Sequence, residues 1–307
     1  MSTLSHSAAR LRLGAARRAH GVSEVPWLFA APALAIYAGL LLIPTAIGAF
    51  YAFTAWDGIT APQWLGLANF QEILSDGDGR DALVHTLLLA AGYVLTVNAI
   101  GLALALGLNT ALKTRGLLRA LYFFPAVVSP LAVAYIWKYV LDPSGPLNEG
   151  LRSIGLGGLA EPWLGQTSTA LPAVLVVMVW QFAGWHTVIY LAGLQGIQRE
   201  LYEAAAVDGA GAWRRFRDIT RPLLMPAFTI SLVLSLVVSL TTFDQVIALT
   251  NGGPAGATTT MGTYVYEQAF VNGRFGYSAA VALMLMVVVA VAVTVPLALL
   301  RSRQGQP

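Results

Sequence analysis

The sequence contains no cysteine and few charged residues. Without cysteine, the chain has no disulfide bonds, no thiolate metal ligands and no thiol nucleophile. Charged residues make up 11% of the 307 positions, whereas a soluble domain carries about 25%. Hydrophobic residues make up 57%, and the mean hydropathy is +0.67. Because this number of charges is too small to cover the surface of a soluble protein of this length, the composition predicts an integral membrane protein.

Signatures of catalysis are also missing. The sequence has no Gly-x-x-x-x-Gly-Lys-Ser/Thr pattern, so the chain has no P-loop for a nucleotide. Its four histidines are scattered, and no Ser/His/Asp constellation stands out. We therefore expect a protein that is not an enzyme and holds no metal ion or cofactor. The arginines before the first apolar segment are explained by membrane topology, so we expect no binding to nucleic acid.

Six apolar segments are long enough for transmembrane helices. A helix needs about 20 apolar residues to cross the hydrocarbon core of a bilayer. The expected spans lie at about 26–53, 85–109, 119–141, 170–194, 226–249 and 275–300. They predict an all-α integral membrane domain over residues 26–300, between tails at 1–25 and 301–307. After Leu249, the stretch to Tyr266 contains a Thr-Asn-Gly-Gly-Pro turn, so we expect a loop there, outside the membrane.

The distribution of Lys and Arg predicts the orientation. The N-terminal tail, the second and fourth connections and the C-terminal tail together hold 14 of the 18 Lys and Arg. The opposite side has only Arg80, Arg152 and Arg274, and Lys138 lies within the third span. The positive-inside rule then places both termini in the cytoplasm, and anionic membrane lipid faces the basic segments.

The fourth connection, residues 195–225, has the pattern of two short helices. Good helix formers from Glu200 to Val207 predict the first helix, and Gly209 permits a turn. Trp213 to Ile219 predicts the second. Apolar stripes on the two helices predict a rigid hairpin that is fixed by burial under the helical bundle. These stripes are formed by Tyr202, Ala205, Ala206, Trp213 and Phe216.

The order of residues in this loop resembles the EAA loop of binding-protein-dependent ABC importer permeases. The matching positions are Glu203, Ala204, Ala205, Asp208, Gly209 and Ala210, followed by Phe216, Ile219, Pro222 and Pro226. In that family the loop docks in a cleft of the ATPase subunit. The resemblance therefore implies that Glu203 to Ala205 and Asp208 to Ala210 couple this chain to an ATPase. An ordinary amphipathic hairpin explains the periodicity but not this residue order.

Further segments are similar to the permeases of carbohydrate ABC importers. They are residues 119–139, 180–194, 249–254 and 264–280. The resemblance implies the type I importer permease (MetI-like) fold in a bacterial cytoplasmic membrane. It also implies four partners: a second homologous permease, an ATPase dimer that binds ATP and Mg, an extracytoplasmic sugar-binding protein, and a carbohydrate substrate. The two permeases would enclose one translocation pathway.

Polar residues within two spans predict a substrate pathway. Ser235, Ser239 and Thr242 share one face of the fifth span, and Gln181 and Trp185 lie four residues apart on the fourth. In the maltose permease the sugar binds between these two helices. An ungapped match to it implies a pathway formed by Gln181, Phe182, Trp185, Ser235, Val238, Ser239 and Thr242. The alternative is that the serines and threonines only pack helices together.

Two other functions fit a polytopic membrane protein. One is a secondary transporter or channel without an ATPase, in which Asp244 or His186 binds a proton or Na⁺. The sequence shows no repeat of its first three spans in the last three, which an inverted-repeat transporter would have. The other is a membrane scaffold without transport. Asp244, near the end of the fifth span, either caps a neighbouring loop or faces the cavity. The sequence does not identify the sugar.

Overall fold

A computed structural model describes residues 27–110 and 114–304 of the chain. The predicted tail 1–25 and the last residues of the predicted tail 301–307 lie outside the described residues. The chain divides into two units, with the boundary between Phe50 and Tyr51.

The first unit is an apolar helical segment. Helix α1 (Trp27–Tyr37) continues through a π-helical turn (Ala38–Leu42) into α2 (Ile43–Tyr51). The stretch Phe29–Tyr51 is long and apolar enough to cross a membrane. It coincides with most of the first predicted span.

Near the start of the second unit, two strands of two residues each, β1 (Thr54–Ala55) and β2 (Gln63–Trp64), form an antiparallel pair. Thr54 lies opposite Trp64. The helices that follow are α3 (Ala68–Ser75), α4 (Gly77–Leu108), α5 (Arg115–Val127), α6 (Pro130–Val140) and α7 (Pro146–Ser153). After a 3₁₀ turn (Gly157–Leu159) comes the long helix α8 (Thr167–Gln195).

Short helices dominate the next part of the chain. They are α9 (Arg199–Val207), α10 (Ala212–Arg215), a π-helical turn (Phe216–Thr220) and α11 (Arg221–Leu223). Helix α12 (Met225–Leu240) is followed by α13 (Asp244–Leu249), α14 (Met261–Tyr266), a π-helical turn (Glu267–Val271) and α15 (Phe275–Gln304).

Helix α8 lies at the centre of this unit and packs against α4, α5 and α12. Its buried face carries residues such as Val174, Val177 and Met178, which form one apolar core with residues of α4, α6 and α13. Within the described residues, four helices qualify as membrane spans. Six spans result when each of two bent pairs is counted as one: α5 with α6, and the segment of α10 and α11 with α12.

Two of the predicted spans are interrupted. The third, 119–141, bends by 98° between α5 and α6. Pro125 and Pro130 predict a local break in this span, and the break lies directly before Pro130, whereas Pro125 lies inside α5. The break lies at Val128 and Ser129, which have extended backbone because Ser129 precedes Pro130. The fifth, 226–249, stops at Leu240 and resumes at Asp244. Two adjacent threonines occupy this second break, and β-branched residues are weak helix formers.

The second span also differs from its prediction at one end. Helix α4 begins at Gly77, whereas the apolar pattern placed its start near residue 85. The added turns carry Asp78, Arg80 and Asp81, so a criterion based on uncharged length left them out.

Candidate functional site

Asn98 is the centre of a buried hydrogen-bond network between three membrane helices. Its Oδ1 accepts from the hydroxyls of Ser231 and Tyr190, both at 2.6 Å. Its Nδ2 donates to Ser235 Oγ at 3.0 Å and to the Val94 carbonyl at 2.7 Å. All four side chains are buried. The network therefore joins α4, α8 and α12 through groups whose hydrogen-bonding capacity is used within the chain.

His186 extends this network. Its Nδ1 lies 2.7 Å from Ser231 Oγ. Because the Ser231 hydroxyl donates to Asn98, the ring nitrogen is assigned as the donor to Ser231. His186 is buried, and its backbone lies close to Gly101 of α4. These contacts give His186 a packing role.

A second buried network centres on Gln181. Gln181 Nε2 donates to the Val128 carbonyl at 3.0 Å, and Gln181 Oε1 accepts from Gln245 Nε2, also at 3.0 Å. The Thr242 hydroxyl donates to Gln245 Oε1 at 3.1 Å. Gln181 is 0% exposed, and both polar atoms of its amide are bonded to other parts of the chain.

The predicted pathway residues fall into two groups. Gln181, Ser235, Ser239 and Thr242 are buried, and Ser239 donates to the Ser235 carbonyl within α12. Phe182 is half-buried. Trp185 is 47% exposed and stacks on Phe123 of α5.

Val238 and Asp244 lie on the accessible surface. Asp244 is in the first turn of α13, where a carboxylate interacts favourably with the positive end of the helix dipole. The stripe thus does not form one continuous lining in this conformation, and the substrate contacts stay a prediction.

The sequence interpretation gave Asn98, Tyr190, Ser231 and Gln245 no place in the site. One signal was available, since Ser231 continues the spacing of Ser235 and Ser239 by one further helical turn. Asn98 and Tyr190 stand alone in apolar helices and give no such periodicity.

The loop between α8 and α12 is a separate candidate site with a different character. None of the residues of α9, all of which the structure describes, is buried. Glu203 lies 3.1 Å from Arg199 one turn earlier, and both side chains are exposed. Such an exposed ion pair stabilises a helix by no more than about 0.5 kcal/mol. The face of α9 is therefore accessible to another protein.

A Schellman motif ends α9. The N–H of Gly209 donates to the Ala206 carbonyl, and the N–H of Ala210 donates to the Ala205 carbonyl. Gly209 has φ +74°, a left-handed conformation that favours glycine. The Tyr202 and Thr220 hydroxyls are 2.9 Å apart and tie α9 to the second half of the loop. These bonds give the exposed hairpin a defined shape.

The predicted burial of the loop's apolar stripe was wrong, because none of its five residues is buried. Trp213 is 72% exposed and stacks on Phe216, and Ala206 is exposed too. Tyr202, Ala205 and Phe216 are only half-buried. The hydrogen bond from Arg217 holds the pKa of Asp218 below its ordinary value, so this exposed pair is charged at neutral pH. Apolar and charged groups thus lie together on an accessible surface.

Residues 97–303 match the family model described as "Binding-protein-dependent transport system inner membrane component". The chain belongs to this family. The match includes α8, the loop with Glu203 and Gly209, and α12, so both candidate sites lie within the region that defines the permease.

Relatives of this permease include named sugar transport proteins. It is 34% identical over 245 residues to the probable starch degradation products transport system permease protein AmyD of Thermoanaerobacterium thermosulfurigenes, covering 80% of this chain and 82% of AmyD. It is 35% identical over 257 residues to the multiple sugar-binding transport system permease protein MsmF of Streptococcus mutans, covering 83% and 88%. The lactose transport system permease protein LacF of Rhizobium radiobacter is 32% identical, with 83% and 87% covered. The predicted resemblance to carbohydrate ABC importer permeases is confirmed.

A solved structure supports the predicted fold. A chain of a bacterial ABC transporter involved in the import of the acidic polysaccharide alginate superimposes with a TM-score of 0.79 at 27% identity. The match covers 90% of this permease and 96% of that chain. The type I importer (MetI-like) permease fold predicted from the sequence is confirmed. No group of three or more His, Asp or Glu among the described residues is placed to hold a metal ion.

Proposed function

We propose that this permease is one of two homologous transmembrane subunits of an ATP-driven carbohydrate importer in a bacterial cytoplasmic membrane. The exposed hairpin formed by α9 and α10 would dock on a partner ATPase dimer, which binds the ATP and Mg. The observation that carries this proposal is that α9 has a Schellman cap but no buried residue. A helix with a defined shape and an exposed Trp213 beside it is suited to a cleft on another protein.

The orientation follows from the charges on the same loop. By the positive-inside rule, the loop would lie in the cytoplasm, and both termini with it. The loop carries five arginines: Arg199, Arg214, Arg215, Arg217 and Arg221. The opposite face would then meet an extracytoplasmic sugar-binding protein. A related alginate transporter has been solved in complex with its periplasmic protein bound to an alginate pentasaccharide, at 26% identity and a TM-score of 0.74.

The substrate class rests on the relatives and on the accessible aromatic group. Proteins named for starch degradation products, multiple sugars and lactose share about a third of their residues with this chain. Trp185 presents an exposed ring within α8, and aromatic faces stack on the C–H faces of sugars. With a second permease opposite, Trp185, Val238 and the neighbouring Phe182 would line half of the pathway.

Coupling would be mechanical. When ATP closes the ATPase dimer, the two docked hairpins would move together and turn the helical bundles from an inward-facing to an outward-facing arrangement. Gly209 and the bond between Tyr202 and Thr220 keep each hairpin rigid enough to transmit this movement.

The test uses the complex purified with its neighbouring gene products and reconstituted in proteoliposomes. We expect Glu203→Ala to lower both sugar-stimulated ATP hydrolysis and uptake by about tenfold, the equivalent of about 1.4 kcal/mol. Glu200→Ala, an exposed carboxylate on the same helix, is the matched control and should leave both rates unchanged.

Two results would count against the proposal. One is a chain that purifies without an ATPase and transports only when an ion gradient is imposed, which is the behaviour of a secondary transporter. The other is full coupling in Glu203→Ala, because the exposed face of α9 would then not be the docking surface.

A further inference from the structure

The break between α5 and α6 and the break between α12 and α13 meet at one buried amide. Val128 ends the first half of the third span, and its carbonyl accepts a hydrogen bond from Gln181 Nε2 at 3.0 Å. Thr242 and Gln245 lie on either side of the point where α13 begins, and Gln245 donates to Gln181 Oε1 at 3.0 Å. Gln181 of α8 is therefore bonded to both breaks.

The geometry of a broken helix explains why these bonds are needed. At the turn before Pro130, the Val128 carbonyl has left the regular helix, and an unpaired carbonyl within a membrane costs free energy. The Gln181 amide supplies the missing donor. At the other break, the Thr242 hydroxyl and the Gln245 amide satisfy each other at 3.1 Å. All three of these side chains are buried.

Beyond the breaks, α6 and α13 pack against each other. Their buried apolar residues, such as Val133 of α6 and Val246 of α13, belong to the same core cluster as Val177 and Met178 of α8. The preceding helices, α5 and α12, pack on α8 and α4. The third and fifth predicted spans thus each have one part in the α6–α13 pair and one part outside it.

We infer that Gln181 is a positioning residue that holds the α6–α13 pair as one body against α8. The two helices pack closely on each other, so the pair stays together when the bonds to Gln181 are lost. The apolar core that the pair shares with α8 is not directional, so the hydrogen bonds to Gln181 determine where the pair lies on α8. The resemblance to the maltose permease instead implies that Gln181 contacts substrate, so the two roles give different expectations. The transport consequence rests on the proposed function, whereas the structural consequence does not.

The first experiment measures distances between spin labels in the full-length subunit, purified without nucleotide. The chain has no cysteine, so two introduced cysteines give one label pair. Tyr139→Cys with Asp244→Cys reports on the α6–α13 pair, and Tyr139→Cys with Val188→Cys reports on that pair against α8; all three positions are exposed. Each label pair is compared with and without Gln181→Leu.

We expect Gln181→Leu to broaden the distance distribution between positions 139 and 188 and to leave that between 139 and 244 unchanged. Gln245→Leu removes only one of the two bonds, so it should broaden the first distribution less. The double variant should match Gln181→Leu. Thr241→Val is the matched control, because the exposed Thr241 hydroxyl donates only to the Val237 carbonyl of its own helix. An unchanged 139–188 distribution in Gln181→Leu would overturn the inference, as would equal broadening of both distributions.

The second experiment separates positioning from substrate contact. In proteoliposomes, loss of a positioning residue should lower the uptake of several sugars by the same factor, and the ATP hydrolysed per sugar should rise. Loss of a substrate contact would instead change the relative rates of different sugars, and that result would contradict the inference. If the wild-type complex shows no ATP-dependent uptake, the proposed function fails, while the label distances still test the role of Gln181.

Discussion

Helices α8 and α9 are neighbours in the chain, and they use their polar residues in opposite ways. In α8, Gln181, His186 and Tyr190 are buried, and each is bonded to a residue far away in the sequence. In α9, Glu203 pairs only with Arg199 of the same helix, and no residue of this fully described helix is buried. The polar side chains of α8 hold the subunit together, whereas those of α9 are accessible to a partner.

This difference separates the expected effects of substitutions. Changes on the buried face of α8 should lower the stability of the subunit, and transport should fall as a consequence. Changes in α9 and its cap should impair coupling while the thermal midpoint of the subunit falls by no more than about 2–4 °C. The predictions below test this separation, beginning with the largest expected effect.

Gly184→Ala should be the most destabilising of these changes. A Cβ at Gly184 would overlap the backbone carbonyl of Tyr122, so α8 and α5 could no longer approach as closely. We expect a loss of about 3 kcal/mol in the free energy of unfolding, measured as a lower thermal midpoint in detergent. Gly107→Ala in α4 is the control, because nothing lies within 4 Å of its Cβ. Equal midpoints for the two variants would mean that this close contact between α5 and α8 is not needed.

Asn98→Leu should have the next largest effect. It would leave the hydroxyls of Ser231 and Tyr190 without their acceptor and Ser235 without its donor. We expect a loss of about 2 kcal/mol in the free energy of unfolding, because buried groups without partners cost 1–3 kcal/mol each and membrane helices recover part of this. Thr96→Val removes an exposed hydroxyl bonded within the same helix and should be almost neutral. A stable Asn98→Leu variant with altered sugar selectivity would place this network in the pathway instead.

The contrast between the two helices also shows what the sequence makes predictable. Six apolar segments and the residue order around Glu203 are local features, and they were sufficient for the fold and the family. The spacing of Ser235 and Ser239 identified one buried face of α12, whereas Thr242 lies beyond the end of this helix. The spacing did not reveal that this face meets Asn98 of α4, because the partner lies far away in the sequence and has no periodicity of its own.

Pro130 made the break in the third span predictable, whereas the break in the fifth span and the exposed tryptophan were missed for related reasons. A run of apolar residues satisfies the length criterion for a span whether or not the helix stops at Leu240 and resumes at Asp244. Likewise, an apolar stripe containing Trp213 indicates that this face of the hairpin packs against something. It does not indicate whether that is another part of the same chain or a partner protein. Burial within one subunit was the wrong choice for Trp213, which is exposed.

Gly209→Ala should have the smallest effect on stability, and it tests the separation most directly. The left-handed backbone at Gly209, with φ +74°, costs a residue with a Cβ about 1 kcal/mol. Nothing lies within 4 Å of an added Cβ, so the strain is confined to the end of α9. Gly211→Ala is a close control, because Gly211 has φ −67° and equally open surroundings. We expect Gly209→Ala to lower the thermal midpoint by only about 2–4 °C and Gly211→Ala to leave it unchanged. Only Gly209→Ala should lower sugar-stimulated ATP hydrolysis, by about fivefold. If both alanines are fully coupled, the cap does not set the shape that the ATPase recognises; if both lose coupling, the surface around the turn matters more than its backbone conformation.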